Sequence, residues 1–324
     1  MLRYLALAFT LVGLVAAIWL VGDTGWREVL AGVARIGAGG FALLIAWTAV
    51  TLVMLGAAWY AVAPGLERRH LPTFAWARTT REAATDVLPF SQFGGLVVGA
   101  RTAIAGGIPE PLVYASLIAD QTAELAAQLV FTLFGVAMLA LVLAAAPAGN
   151  AVLPLVLGGV GVLGAIMLGF AFGQRPMLRM AQGLAGRLLP QSVATMAALG
   201  DQLDAIYRRP LRVITSVLLH LSGWVFSGCG AWAALALMGT PRSLGAVLTI
   251  ESLIFTLRTV AFAIPGGVGV QEAAYVLIGP LFGLPPEAGL ALSLVKRARD
   301  LAVGVPGVLL WQWGEWRALR RARA

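Results

Sequence analysis

The segment that decides the fold is AIPGGVGVQE, residues Ala263–Glu272, which lies inside a long apolar region of the chain. Pro265 removes a backbone hydrogen-bond donor, and glycine at three of the next four positions gives the backbone its freest turns. These glycines are Gly266, Gly267 and Gly269. A straight membrane helix cannot pass through such a segment, and broken backbone at membrane depth persists only where it is buried in protein or lines a wet cavity. Because Glu272 follows at once, the segment predicts a polar site inside the bilayer.

A similar segment, LPFSQFGG, occurs earlier in the chain at residues Leu88–Gly95. When Pro89 is aligned with Pro265, a shift of 176 positions, two further landmarks coincide. A Gly-aliphatic-Pro tripeptide follows 18 positions later in both halves, and an acid follows 35 positions later. These are Gly107-Ile108-Pro109 with Gly283-Leu284-Pro285, and Glu124 with Asp300. Three landmarks in register predict an internal duplication, a symmetry that many transporters carry.

The composition predicts an integral membrane protein with a single all-α, polytopic domain over residues 1–324. Hydrophobic residues make up 60% of the chain and charged residues 12%, and the mean hydropathy is +0.87. The one cysteine, Cys229, excludes an internal disulfide, and the two histidines, His70 and His220, offer no metal-ligand spacing. There is no phosphate loop and no nucleotide fingerprint, so we expect no cofactor and no metal. The basic residues sit in separate short loops, which argues against a nucleic-acid partner.

Apolar runs and breaks predict six spanning helices and two re-entrant hairpins. The spans are Tyr4–Gly22, Phe41–Ala63, Leu112–Ala146, Val152–Phe172, Leu211–Met238 and Pro286–Trp313; the hairpins are Ala83–Ala105 and Leu244–Leu281. Asp23–Gly40 is predicted as an outer loop, and Glu67–Arg81 and Gln174–Arg212 as cytoplasmic surface segments. A second possibility is that Leu244–Phe262 spans the bilayer by itself.

The distribution of basic residues predicts which side of the membrane each loop faces. The predicted inside loops and ends hold 15 basic residues and the outside loops hold three, which places both termini in the cytoplasm. The two hairpins then enter from opposite faces, so the repeats, around residues 64–173 and 240–315, are predicted to be inverted.

Ionisable residues inside the apolar runs are the candidate functional residues. Asp120 and Glu124 share one helix face, and Arg297 and Asp300 share another, as do Lys296 and Asp300. Buried charges in a bilayer cost several kcal/mol unless they are paired or hydrated, and they usually mark a pathway or a site. We therefore expect the two pairs Asp120/Glu124 and Arg297/Asp300 to approach each other. The alternative is that such charges only lock the helices together.

Glu272 has two interpretations of its own: it binds part of a head group near free backbone amides, or it caps the helix that follows the break. His220, alone in an apolar helix, is expected to be a packed core residue. The full set of translocation candidates is Pro89, Gln92, Asp120, Glu124, Glu251, Arg258, Pro265, Gly266, Gly267, Gly269, Glu272, Arg297 and Asp300.

These motifs carry a resemblance to a known family. Residues Pro265–Glu272, the tripeptide Gly283-Leu284-Pro285 and Arg297 in the last helix resemble the lysylphosphatidylglycerol synthase transmembrane-region family, and Leu88-Pro89 with Asp120 resembles its first-half pattern. The first-half motif has Phe90–Phe93 where many members have glycine. The family includes the flippase half of the multiple peptide resistance factor, and in length and loop spacing this chain is most similar to stand-alone HpnL-type members associated with hopanoid biosynthesis.

The resemblance implies an inner-membrane lipid translocase or lipid-export component, acting on a hopanoid or another polar lipid. Membrane lipids are the expected partners, together with lipid-biosynthesis enzymes. The chain ends just after its last predicted helix, so we expect no soluble aminoacyl-transferase domain and no enzymatic activity. Two other functions stay open: a membrane-embedded lipid-modifying transferase that uses the same acids as a general base, and a non-transporting scaffold for lipid-synthesis enzymes.

Overall fold

The computed structural model of the chain is helical, and the residues that it describes contain no β-strand. These residues are 26–87, 91–144, 193–260 and 269–323, with scattered positions between 158 and 173. The helices in the four ranges are α1 (Trp26–Ala61), α2 (Leu71–Val87), α3 (Ser91–Ala105), α4 (Glu110–Ala144), α5 (Val193–Tyr207), α6 (Pro210–Leu237), α7 (Leu244–Val260), α8 (Val270–Ile278) and α9 (Pro286–Arg323). The predicted all-α class is thus confirmed for this part of the chain.

Within these ranges, three helices are long and apolar enough to cross a membrane. They are Leu30–Ala61, Glu110–Ala144 and Pro210–Leu237. They overlap the predicted spans Phe41–Ala63, Leu112–Ala146 and Leu211–Met238, so a membrane location is supported. Two more predicted spans, Tyr4–Gly22 and Val152–Phe172, and the two proline breaks fall wholly or largely outside the described residues. The sixth predicted span, Pro286–Trp313, is helical as part of α9, but α9 is not among the three helices that are long and apolar enough.

The helices form two compact units. The larger unit comprises Met1–Leu52, Thr79–Gly99 and Val225–Ala324, and the smaller unit comprises Val53–Arg78 and Ala100–Trp224. In the larger unit, apolar side chains of α1, α6, α7, α8 and α9 pack into one core, which includes Leu44, Leu235, Ile250 and Leu290. Helices α8 and α9 approach closely at Gly289, where an added Cβ would stand 3.0 Å from the Cβ of Tyr275.

Helices α2 and α3 fold back on each other around the segment 88–90. At Gly95 an added Cβ would lie 2.1 Å from Thr85 Oγ1 and 2.7 Å from the carbonyl oxygen of Arg81. Residues 81 and 95 can only be this close if α2 and α3 lie side by side as the two arms of a hairpin, and the re-entry of this hairpin into the membrane stays a prediction. Its first arm is longer than expected, since α2 has 17 residues and begins at Leu71.

In the smaller unit, α5 packs on the long helix α4. Leu203 and Ile206 of α5 are buried, and the Tyr207 hydroxyl donates to Thr122 Oγ1 of α4 at 3.2 Å. The end of α1 is held to the same helix by Trp59, whose Nε1 donates to Ser116 Oγ at 3.1 Å. Part of the predicted surface segment Gln174–Arg212 is thus a helix, α5, with one buried face and with Asp201 and Asp204 exposed, and its place at the membrane surface stays a prediction.

Several helix ends lie 176 positions apart, which is the spacing of the two similar segments in the sequence. Helices α1 and α6 end 176 positions apart, at Ala61 and Leu237, and α4 and α9 begin 176 positions apart, at Glu110 and Pro286. The turns before α4 and α9 also match: Gly107 and Gly283 have φ of 86° and 75°. The next residue in each turn donates its amide to a carbonyl five positions back, from Ile108 to Ala103 at 3.3 Å and from Leu284 to Gly279 at 3.0 Å.

Three boundaries differ from the sequence prediction. The predicted outer loop Asp23–Gly40 is helical from Trp26, because Val33 and Ile36 give this stretch an apolar face that packs into the core of the larger unit. The chain departs from helical geometry only at Gly37 (φ 61°, ψ 175°). The last helix continues to Arg323 instead of ending at Trp313.

The third difference concerns the predicted surface segment Glu67–Arg81. Most of it belongs to α2, and its last two arginines, Arg78 and Arg81, are buried. The interval Ala75–Ala84 is rich in alanine and threonine, whose small side chains let the helix approach its neighbours and carry these arginines inside.

Candidate functional site

Glu272 is the centre of a polar network in the larger unit. It lies in the first turn of α8, and its side chain is 1% exposed. Its carboxylate accepts hydrogen bonds from the Gly269 amide at 2.8 Å, from Ser293 Oγ at 2.8 Å, and from Arg297 Nε and Nη2 at 2.6 and 3.1 Å. Of the two interpretations of Glu272, the helix cap is present in the structure, and the same carboxylate also holds an arginine of α9; contact with a head group stays a prediction.

Gln271 extends the network to a second arginine. Arg258 Nη1, at the end of α7, donates to Gln271 Oε1 at 3.3 Å, and Gln271 Nε2 donates to Ser293 Oγ at 2.7 Å. The chain of contacts therefore runs from Arg258 through Gln271, Ser293 and Glu272 to Arg297. Its inner members are buried, while the arginine side chains at its two ends are 30% and 25% exposed.

A buried ion pair lies beside this network, on the same helices. Lys296 Nζ donates to Glu251 Oε2 at 2.6 Å and to the Tyr275 hydroxyl at 3.1 Å, and the Tyr275 hydroxyl donates to Glu251 Oε1. All three side chains are buried. The pair joins α7, α8 and α9, and each charged group has a partner of opposite sign, which offsets the cost of removing it from water.

Two further ion pairs border the network. Arg299 Nη2 lies 2.6 Å from Asp300 Oδ1, and Arg258 Nη2 lies 4.0 Å from Asp86 Oδ1 of α2. The second of these pairs joins α2 of the hairpin to α7.

The smaller unit contains a separate charged cluster. Arg78 Nη2 and Nη1 donate to the two carboxylate oxygens of Glu124 at 2.6 and 3.0 Å, and Arg78 Nη1 lies 3.7 Å from Asp120 Oδ2. Asp120 Oδ1 lies 2.8 Å from His220 Nε2. Ligand-type atoms of Asp120, Glu124 and His220 lie within 4.8 Å of one another, a spacing that suits a cation. The guanidinium of Arg78 already supplies positive charge beside these three side chains.

The structure therefore gives partners to most of the sequence candidates. Asp120, Glu124, Glu251, Arg258, Gly269, Glu272, Arg297 and Asp300 all take part in the contacts above. Pro89, Pro265, Gly266 and Gly267 lie outside the described residues, as does the side chain of Gln92. The partners seen for Arg297 and Asp300 are Glu272 and Arg299, and the predicted approach to Asp120 and Glu124 stays a prediction.

Several residues of these clusters were missed by sequence reasoning. They are Asp86, Tyr275, Ser293, Arg299 and, in the smaller unit, Arg78 and His220. One signal was available for Arg78: two acids on one face of α4 need a cation, and the nearest preceding basic residues are Arg78, Arg81 and Arg101. His220 carried no such signal, because its partner is 100 positions away.

The long apolar helices and their buried ion pairs define a helical membrane protein with polar sites inside its apolar segments. Comparison with protein families identifies it further. The chain belongs to the family described as the lysylphosphatidylglycerol synthase TM region, whose model matches residues 4–307. No curated protein and no solved structure matched in the corresponding comparisons. Membership indicates a lipid-related role in a membrane.

Proposed function

We propose that this protein is a lipid translocase of the bacterial inner membrane, with both termini in the cytoplasm. It moves the polar head group of a lipid across the bilayer while the acyl chains stay in the hydrocarbon. The family supports a lipid-related role. The substrate is a hopanoid or another polar lipid, and the inverted repeat supplies the two opposed hairpins between which the head group passes.

One observation carries this proposal: the network of the larger unit has a partly exposed arginine at each end. Arg258 lies on α7 and Arg297 on α9, and both are anchored by hydrogen bonds to buried groups in a chain that leads to Glu272. Guanidinium groups held in this way are suited to a phosphate or carboxylate of a head group, since they present several fixed donors. A network that served only to lock helices together gains nothing from exposing its cations.

The break before α8 has a role in the same scheme. The Pro-Gly-Gly sequence costs helix stability and leaves backbone donors to be satisfied. Glu272 satisfies one of them, at Gly269. In the proposed function, a head group that passes the break takes up backbone donors of this segment, as anions do at helix N-termini.

The test is lipid movement by the purified protein in proteoliposomes, followed as protection of a labelled polar lipid from an added reductant. We expect the parent to speed the exchange of label between leaflets and Glu272→Gln to slow it strongly. Glu110→Gln is the matched control, because Glu110 is an exposed acid at the start of α4 and should leave the rate unchanged.

The other outcomes identify the alternatives. Equal rates for Glu272→Gln and the parent would contradict a role for the network in transport. A parent that moves no lipid but forms a modified lipid from a supplied donor would be a transferase. A parent that does neither and instead binds lipid-synthesis enzymes would be a scaffold.

A further inference from the structure

The charged cluster of the smaller unit contains a histidine whose second ring nitrogen has no hydrogen-bond partner in the part of the chain that the structure describes. His220 lies in the middle of α6 and is fully buried. Its Nε2 lies 2.8 Å from Asp120 Oδ1, whereas Nδ1 is buried and makes no hydrogen bond. Buried polar atoms are normally satisfied, so an unpartnered ring nitrogen beside a carboxylate calls for a functional explanation.

The charges around His220 come from two helices besides its own. Helix α4 contributes Asp120 and Glu124, and α2 contributes Arg78, which bonds both oxygens of Glu124. With Asp120 ionised, Nε2 carries the ring proton and donates to the carboxylate, and the lone pair of Nδ1 is available. A proton taken up at Nδ1 turns the ring into an imidazolium, whose charge Asp120 stabilises directly.

We propose that His220 with Asp120 forms a proton-binding site, and that its protonation couples lipid movement to protons. This inference rests on the proposed function and adds the coupling ion. Histidine is the side chain whose ordinary titration falls near neutral pH, which suits a group that must gain and lose a proton in each cycle. Glu124 is the member of the cluster that reaches the surface, with a side chain 12% exposed, whereas Arg78, Asp120 and His220 are at most 1% exposed.

A proton is favoured over a metal ion by the position of Arg78. A divalent cation among Asp120, Glu124 and His220 would have to displace the guanidinium from both oxygens of Glu124, or lie close to its positive charge. A proton on His220 disturbs none of these contacts. Acids and histidines buried in membrane helices are also typical parts of proton relays.

Nuclear magnetic resonance of full-length protein labelled with ¹⁵N-histidine tests the binding site directly. The chain has only two histidines, so His70→Gln leaves the His220 signal alone. The proposal requires that the spectra of His220 contain both the neutral Nε2–H form and the imidazolium when the sample is taken from alkaline to acidic pH. A ring that stays neutral at every pH at which the protein is folded would overturn the proposal, as would a shift of the signal on adding Mg²⁺ or Zn²⁺ at constant pH.

A second measurement tests the coupling. In proteoliposomes with an imposed proton gradient, applied in each direction, the parent and His70→Gln should move labelled lipid at rates that depend on the gradient. For His220→Gln the rates with and without the gradient should become equal. If His220→Gln keeps the full dependence, coupling through this site is excluded. If the parent moves no lipid at all, the proposed function fails, while the resonance measurement still decides whether His220 binds a proton.

Discussion

Two buried ion pairs among the described residues join partners that are distant in sequence. Lys296 is paired with Glu251 across 45 positions, and Arg78 with Glu124 across 46. The attraction within such a pair offsets the free-energy cost of desolvation only when the geometry is good and the remaining lone pairs and protons have hydrogen-bond partners. The added hydrogen bonds from Tyr275 to Glu251 and from Ser293 to Glu272 meet that condition.

We predict that removal of one member of the Lys296–Glu251 pair is costly and that removal of both is less so. Lys296→Met leaves the Glu251 carboxylate buried without its cation, and the expected loss is about 3–5 kcal/mol of unfolding free energy. The double variant Lys296→Met/Glu251→Gln should recover part of this loss, because no charge is then left buried.

The measurement is the midpoint of unfolding for purified protein in detergent, with a surface pair as control. Arg69→Met breaks an exposed pair with Glu67 and should hardly change the midpoint. A double variant less stable than Lys296→Met would contradict the prediction, since it would mean that Glu251 stabilises the fold without its cation.

At the scale of single residues, the sequence predicted which positions in the membrane carry charge but not how they pair. Spacing along one helix placed Lys296 and Arg297 near Asp300, because residues three and four apart share a face. The structure instead joins Lys296 to Glu251 of α7 and Arg297 to Glu272 of α8. Ion pairs between helices depend on how the helices pack, and the spacing of residues within one helix carries no information about that packing.

At the scale of secondary structure elements, several helix boundaries lie 176 positions apart, the spacing of the predicted repeat. The same turn precedes α4 and α9, with a glycine at positive φ and a buried aliphatic residue, Ile108 or Leu284, after it. A side chain at positive φ is strained, which explains why glycine stands at both places. These turns were predictable because their residue types are dictated by the backbone.

The hairpin α2–α3 offers a test at this scale. Gly95→Val should push the two helices apart, because even a Cβ would overlap Thr85 Oγ1 and the Arg81 carbonyl. We expect a loss of about 1–3 kcal/mol in unfolding free energy, typical of an overpacked contact.

The neighbouring glycine provides a matched control. An added Cβ at Gly94 would meet nothing within 4 Å, so Gly94→Ala should be neutral or slightly stabilising in a helix. Thermal unfolding of both variants in detergent is the measurement. Equal destabilisation by the two variants would show that the hairpin contact is not the cause.

The element most poorly predicted was α2. Four arginines between Glu67 and Arg81 indicated a surface segment, which is the usual place for basic residues. Two of the four, Arg68 and Arg69, precede α2 in a short 3₁₀ turn, whereas Arg78 and Arg81 lie within the helix and are buried. The basic composition of the whole segment did not distinguish the exposed arginines before Leu71 from the buried arginines in the helix that begins there.

At the scale of the whole molecule, the proposed inverted repeat makes a prediction about sidedness. Arg69 and Gly245 are equivalent positions, 176 residues apart, and both are exposed. With Cys229 replaced by alanine, Arg69→Cys should react with an impermeant thiol reagent only from the cytoplasmic face. Gly245→Cys should react only from the outer face. Reaction of both cysteines from the same face would mean that the repeats are parallel.

The central claim is that the network from Arg258 to Arg297 is open to a lipid head group. The most direct measurement is the reaction of a cysteine in the network with a small, charged thiol reagent in proteoliposomes, again without Cys229. Arg258→Cys should react, because this side chain is partly exposed, and a polar lipid present in excess should slow the reaction. Ser293→Cys is the buried control and should stay unmodified. If Arg258→Cys is as unreactive as Ser293→Cys, the network is closed to water and head groups, and a translocation path through it is contradicted.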